Sequence, residues 1–277
     1  MRTSQRRDML LTYIVLLAYF AFFLLPMIWI VYSSFRKPDA IFSGHILTKL
    51  SDFTLVNYRR IFDVNNFSTN ILNSFKIATG VTLITMLLAT LGGYGLSRYR
   101  VWGRDFFILG IFSAQMFPPV LILLPLYAWL LQLQFVDTYP GVILAQTMLS
   151  LPYTVWMLKG YFDNTPKELD ESARIDGCST LGTLFRIIFP VAAPGILVAA
   201  FFAFMVSWGD YLIISVLAQS NATATLPFSL ARIADSLRVE WGDVAAAAVI
   251  TIVPTLILFA LVQRWLVEGL TAGAVKQ

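Results

Sequence analysis

Few side chains in this sequence are equipped for chemistry. It holds one histidine, His45, and one cysteine, Cys178. A structural zinc site takes about four such ligands, and one cysteine cannot form an intrachain disulfide. The same shortage leaves no nucleophile–base set for an enzyme. A Walker A loop ends in Gly-Lys-Ser/Thr to cradle phosphates, and no lysine here follows a glycine. Two acidic features remain. Asp210 stands alone in an apolar run, in Trp208-Gly209-Asp210-Tyr211. A carboxylate within a membrane costs a few kcal/mol and faces a bundle interior or a cavity. Trp208, Asp210 and Tyr211 are therefore candidates to line a pathway, with a structural hydrogen-bonding role for Asp210 equally open. Gln115, beside Pro118 and Pro119, is a further candidate, the alternative being a helix–helix hydrogen bond. The second feature is the acidic cluster Glu168, Asp170, Glu171 and Asp176.

These residues must be positioned by membrane helices. The chain is 58% hydrophobic and 13% charged, with a mean hydropathy of +0.73. Soluble domains carry about 25% charged residues. The net charge of +4 is modest, and the basic residues read as topology signals rather than a nucleic-acid footprint. A crossing needs about 20 apolar residues, and the sequence predicts an all-α membrane protein forming one transmembrane domain over 1–277. Its six crossings fall near 10–33, 75–97, 106–124, 139–159, 195–219 and 243–264. The first apolar run is too long for a signal peptide and no small-residue cleavage site follows it. Arg98, Arg100 and Arg104 in one short loop mark the cytoplasmic side, which puts both termini in the cytoplasm. Gly92, Gly93 and Gly95 suit close helix packing, with a helix break as the alternative. Prolines 118, 119 and 125 interrupt the third crossing, so a folded segment is expected beyond 124. A short helix is expected around Val56–Phe62.

The acidic cluster lies in a charged segment between two apolar runs. Thr165, Pro166 and Glu168 have the spacing of a helix start with a capping box. Glu168, Asp170 and Glu171 fall in the first turns, where the helix dipole favours negative charge. Gly177 suits a left-handed helix end. Ser179 is placed to cap a second helix that Pro190 stops. The expectation is two short helices around a glycine elbow.

The spacing Glu171-Ser172-Ala173, three residues, Gly177, nine residues, Ile187, one residue, Phe189-Pro190 resembles the EAA loop of bacterial ABC importer permeases. It departs at Ser172 and Phe189. The tail ending GLTAGAVK, the NYRRIF segment and the Trp208–Tyr211 stretch are similar to the carbohydrate-uptake, maltose-type branch. Gly209 replaces that branch's usual asparagine. The resemblance runs from the first crossing to the last residue. It implies the type I importer fold in a bacterial inner (plasma) membrane, with loop 165–190 docking into an ATPase. Glu168, Asp170, Glu171, Ser172, Asp176 and Gly177 would belong to that coupling surface, the acids pairing with basic ATPase residues. Ala173, Leu181 and Phe185 would supply apolar contacts. Gly269, Leu270, Thr271, Ala272 and Gly273, in the cytoplasmic tail 265–277, would make a second ATPase contact. The implied partners are a second permease as a heterodimer, two copies of the ATPase and an extracytoplasmic binding protein. No cofactor is expected in this chain, since ATP and Mg would sit in the ATPase. Di- or oligosaccharide import is the reading favoured. A permease for another solute, such as a glycerol phosphodiester, is the alternative. An ion-coupled transporter would require paired buried acids or an inverted repeat, and neither is seen.

Overall fold

The computed structural model describes residues 2–41, 50–64, 66–100, 102–236 and 239–274. His45 and Lys49 fall outside them. Among the described residues the regular elements are all helices, with one isolated bridge between Arg36 and Phe53. The helices are α1 (Arg2–Ser34), α2 (Pro38–Ile41), α3 (Val56–Val64), α4 (Phe67–Arg98), α5 (Arg104–Met116), α6 (Pro119–Gln132) and α7 (Tyr139–Asn164). There follow α8 (Glu168–Ile175), α9 (Thr180–Thr183), a π-helical turn (Leu184–Ile188) and α10 (Phe189–Val191). The last are α11 (Ala193–Trp208), α12 (Leu212–Leu217), α13 (Leu226–Ala234) and α14 (Trp241–Ala274).

Among the described residues, four spans are long and apolar enough to cross a bilayer: Met9–Ser34, Phe67–Arg98, Tyr139–Asn164 and Trp241–Leu266. A fifth is reached if Thr180–Val191 and Ala193–Trp208, bent by 87°, count as one. The other two expected crossings are broken helices. The run over 106–124 divides into α5 and α6 at Phe117–Pro118. A residue before proline is pushed out of the helical region, and Pro118, preceding Pro119, is extended at φ −61° and ψ 121°. The folded segment expected beyond 124 is instead the continuation of α6 to Gln132. The run over 195–219 divides into α11 and α12 at Gly209–Tyr211.

The chain forms two compact units, one of residues 1–67 with 229–253 and one of 68–228 with 254–277. In the first, Asn57 of α3 donates from Nδ2 to the carbonyls of Ser34 at 2.9 Å and Arg36 at 2.8 Å. It thereby satisfies acceptors that the end of α1 leaves open. Arg60 pairs with Asp243 at 3.4 Å, tying α3 to the first turn of α14.

In the second unit, two apolar clusters lie along α4 and α7. Ile77 and Val81 join Leu126 and Leu130 of α6, Val142 and Ala145 of α7, and Ile213 and Leu217 of α12. Ala89 and Tyr94 join Val155, Leu158 and Phe162 of α7, Leu184 and Ile188 of the π turn, and Ile196 and Ala199 of α11. The early halves of α4 and α7 thus share one cluster and their late halves the other. α4 passes unbroken through Gly92, Gly93 and Gly95. At Gly93 the backbones of α4 and α7 are close: a Cβ there would lie 3.1 Å from the Lys159 backbone nitrogen and 3.3 Å from the Val155 oxygen. Close packing is therefore its role.

Candidate functional site

The charged segment after α7 folds as an elbow, but it starts differently from the expectation. Thr165 does not cap α8. It ends α7 instead, with its N–H donating to Phe162 O at 3.1 Å and its Oγ1 to Tyr161 O at 3.1 Å. α7 runs on to Asn164 and so claims the threonine before a capping box can form. α8 begins one turn later, where Lys167 O accepts from Asp170 N at 3.0 Å and Glu171 N at 3.2 Å. Glu168, Asp170 and Glu171 still occupy its first turn.

Gly177 ends α8 at φ +79°. Its N–H donates to Arg174 O at 3.1 Å, and the next N–H, of Cys178, donates to Ala173 O at 2.9 Å. That pair of bonds is a Schellman motif. Two residues on, the Ser179 hydroxyl accepts from Gly182 N at 3.2 Å and starts α9 as the sequence predicted. The second helix does not stop at Pro190. It widens into the π turn and continues through α10, with Pro190 inside that run, and the chain turns at Ala192.

α8 has two faces. Asp170 and Ala173, three residues apart, point inward. Glu168, Glu171, Ser172, Ile175 and Asp176 are exposed, as are Leu181 and Phe185 on the following segment. Two expectations need correction. Ala173 is 1% exposed and packs within this chain, so it offers no apolar contact to a partner. Asp170 is likewise unavailable to a partner's base, since Arg98 Nε donates to its Oδ2 at 2.8 Å and Tyr94 OH donates to its Oδ1. Arg98 also donates from Nη1 to Phe162 O at 2.8 Å and from Nη2 to Thr165 O at 2.9 Å. The Arg98 and Asp170 side chains are only 4% and 7% exposed. Removing one partner from such a buried pair costs about 3–5 kcal/mol, because the other charge is stranded. Sequence reasoning missed two members of the site. Arg98 read as a topology marker, and nothing local ties it to an aspartate 72 positions away. Ile175 is 86% exposed and is the largest apolar side chain on the outer face of α8. Its signal was legible, as an isoleucine between charges beside the elbow glycine.

The candidate pathway residues part company. Trp208 is 2% exposed, packed edge-on to Phe75 at 4.8 Å and stacked on Phe204 at 5.6 Å. It lines no pathway within this chain, because aromatic packing has claimed it. Asp210 sits in the break between α11 and α12. Its carboxylate accepts from Ile213 N at 3.5 Å and Ile214 N at 3.3 Å, so it serves the otherwise open N–H groups of α12. Gln146 of α7 donates to it from Nε2 at 3.0 Å, and Ser207 donates to the Gln146 Oε1. The structural role left open for Asp210 is thus realised, through a partner, Gln146, that sequence reasoning did not select. Tyr211 and Gln115 are exposed. The backbone of 269–273 continues α14 as helix to Ala274. The side chains of Gly269 to Gly273 lie outside the described residues.

The family described as binding-protein-dependent transport system inner membrane component matches residues 82–271. The sulfoquinovosyl glycerol transport system permease protein SmoH of Agrobacterium fabrum is 32% identical over 91% of this chain and 89% of its own. The trehalose/maltose transport system permease protein MalG of Thermococcus litoralis is 32% identical over 98% of this chain and 97% of its own. In fold, the chain is similar to one in the crystal structure of a bacterial ABC transporter involved in the import of the acidic polysaccharide alginate. The TM-score is 0.83 at 21% identity, covering 94% of this chain and 97% of that one. A helical, apolar chain with an exposed acidic elbow, matched by the family over most of its length, belongs to the binding-protein-dependent inner membrane components and is a permease subunit of an ABC importer.

Proposed function

We propose that this permease forms half of the translocation pathway of a sugar importer and couples to its ATPase through residues 165–190. The observation that carries this is the elbow. It presents Glu168, Glu171, Asp176, Ile175, Leu181 and Phe185 outward on a segment whose inner face is anchored. An exposed isoleucine with Glu171, Asp176 and Arg174 around it fits a partner cleft that is apolar at its centre and charged, mainly basic, at its rim. ATP-driven closure of two ATPase subunits would displace the elbow and tilt the membrane helices between inward-open and outward-open states, a change between two packed arrangements. The chain crosses the membrane six times with both termini in the cytoplasm, the helices broken at Pro118 and Gly209 serving as crossings. Freed backbone groups there are tolerated where protein or a water-filled cavity covers them. A second permease of similar size completes the pathway as a heterodimer, and an extracytoplasmic binding protein delivers the solute. The helical end of α14, through Gly269 to Gly273, makes a second ATPase contact. The trehalose/maltose name of one relative supports a di- or oligosaccharide cargo over a glycerol phosphodiester.

The test is a pull-down of the tagged chain from mild detergent, wild type beside Gly177→Asp, with ATPase activity assayed on both eluates. Wild type brings down a second permease and an ATPase, and the variant keeps the permease and loses the ATPase. Wild type eluting alone, without ATPase activity, would overturn the proposal. Uptake of labelled maltose and trehalose by vesicles holding the complex then tests the cargo.

A further inference from the structure

Arg98 stands where three helices end or begin. It is the last residue of α4. Two of its donors reach the carbonyls of Phe162 and Thr165, at the end of α7. A third reaches Asp170, in the first turn of α8. Tyr94, one turn back along α4, holds the other carboxylate oxygen. The three guanidinium bonds are 2.8 to 2.9 Å long, and water has little access to the pair. A guanidinium is planar and presents its donors in fixed directions, which an ammonium cannot do. The three acceptors are therefore held in one mutual geometry, not merely near a positive charge.

The covalent path between α7 and α8 is only Thr165-Pro166-Lys167, and neither Pro166 nor Lys167 is buried. On that link alone, a push on α8 would turn it about the link. We infer that Arg98 is the positioning residue that makes α8 one rigid body with the ends of α4 and α7, so that displacement of the elbow moves both membrane helices together. Two further contacts serve the same end. Gly93 brings the backbones of α4 and α7 together, and Leu184 and Ile188 seat the far side of the elbow in the cluster with Tyr94 and Phe162. The inference rests on the coupling reading above for its purpose, but the rigid body is testable without it.

The single cysteine supplies the probe. Cys178 adjoins the elbow, and Leu91 is exposed on α4. Spin labels on Cys178 and on Leu91→Cys, in the purified complex with its ATPase, report the distance between elbow and helix. Wild type gives one narrow distance distribution, unchanged on adding ATP. Arg98→Gln and Asp170→Asn roughly double its width, since local opening replaces one fixed arrangement. Arg98→Lys, which keeps the charge and loses the fork, falls between. The pair Arg98→Met with Asp170→Met removes both charges and strands neither, so it carries the test should the single variants not assemble. A merely structural ion pair predicts that this apolar pair stays as narrow as wild type, and that result overturns the inference. So does a wild-type distance that shifts with ATP. If no ATPase co-purifies, the coupling reading fails, while the width comparison on the chain alone still decides the rigid body.

Discussion

Replacing Gly177 by alanine isolates the conformational part of the elbow. The residue holds φ at +79°, and a Cβ built on it meets nothing within 4 Å. Steric collision within this chain therefore contributes nothing, and the whole cost is backbone strain. For an ordinary L-residue the left-handed conformation costs roughly 1–2 kcal/mol. If the variant relieves that strain by unwinding the Schellman motif, docking must restore it, and affinity for the ATPase falls by about 5–30-fold, at 1.4 kcal/mol per tenfold. Asparagine tolerates the left-handed region better, so Gly177→Asn falls between alanine and wild type. The assay is titration of the purified ATPase against the detergent-solubilised permease, with the three proteins compared side by side. Alanine binding as tightly as wild type would refute the claim that docking reads this backbone shape. Asparagine losing as much as alanine would refute it differently, by showing that any side chain at 177 meets the partner.

Three further outcomes follow from named contacts. Ile175→Asp places a fourth acid on the exposed face of α8 without disturbing the core, so ATPase co-purification is lost while the thermal midpoint of the isolated chain stays within about 1 °C, as for surface substitutions. Asp210→Ala leaves Gln146 and the first N–H groups of α12 unsatisfied, at about 1–3 kcal/mol; a lowered thermal midpoint in detergent checks it, and Asp210→Asn, which keeps an acceptor, is milder. Asp137 joins the loop before α7 to the loop after α12. Burial raises its carboxyl, but hydrogen bonds from Ser220, Thr223 and the Gln219 backbone outweigh this and hold it below the ordinary range. A lowered folded pKa gives stability that is fully present above the unfolded value of about 3.9 and lost as pH falls through the folded one. Asp137→Asn is therefore less stable than wild type at neutral pH, and the gap closes below about pH 4, as read by thermal midpoint against pH.

Legibility in the sequence followed the range of the forces. The elbow glycine, the Ser179 cap and the acidic first turn were visible because each works within a few residues. Thr165 was misread because two helices compete for it, and the winner is settled by where α7 ends. Asp170 and Ala173 were placed with the docking residues because motif spacing records position along the chain, not which side of a one-turn-wide helix faces inward. The partner that turns Asp170 inward is 72 positions away. Asp210 was noticed for its isolation, yet its use depends on Gln146, which carries no charge to draw attention in an apolar run. Trp208 belongs to a recognisable stretch, but its neighbours Phe75 and Phe204 come from packing that no local pattern announces.

The π turn at Leu184–Ile188 fixes the length of the chain there. It inserts one residue relative to an α-helix, and each helical residue turns the face by about 100°. Leu184 and Ile188 face the core while Leu181 and Phe185 face out, and the 87° bend follows within a few residues. Deleting or adding one residue between 184 and 191 would rotate the outward pair by about a quarter turn against α11. Residue types in that stretch can therefore change more freely than its length.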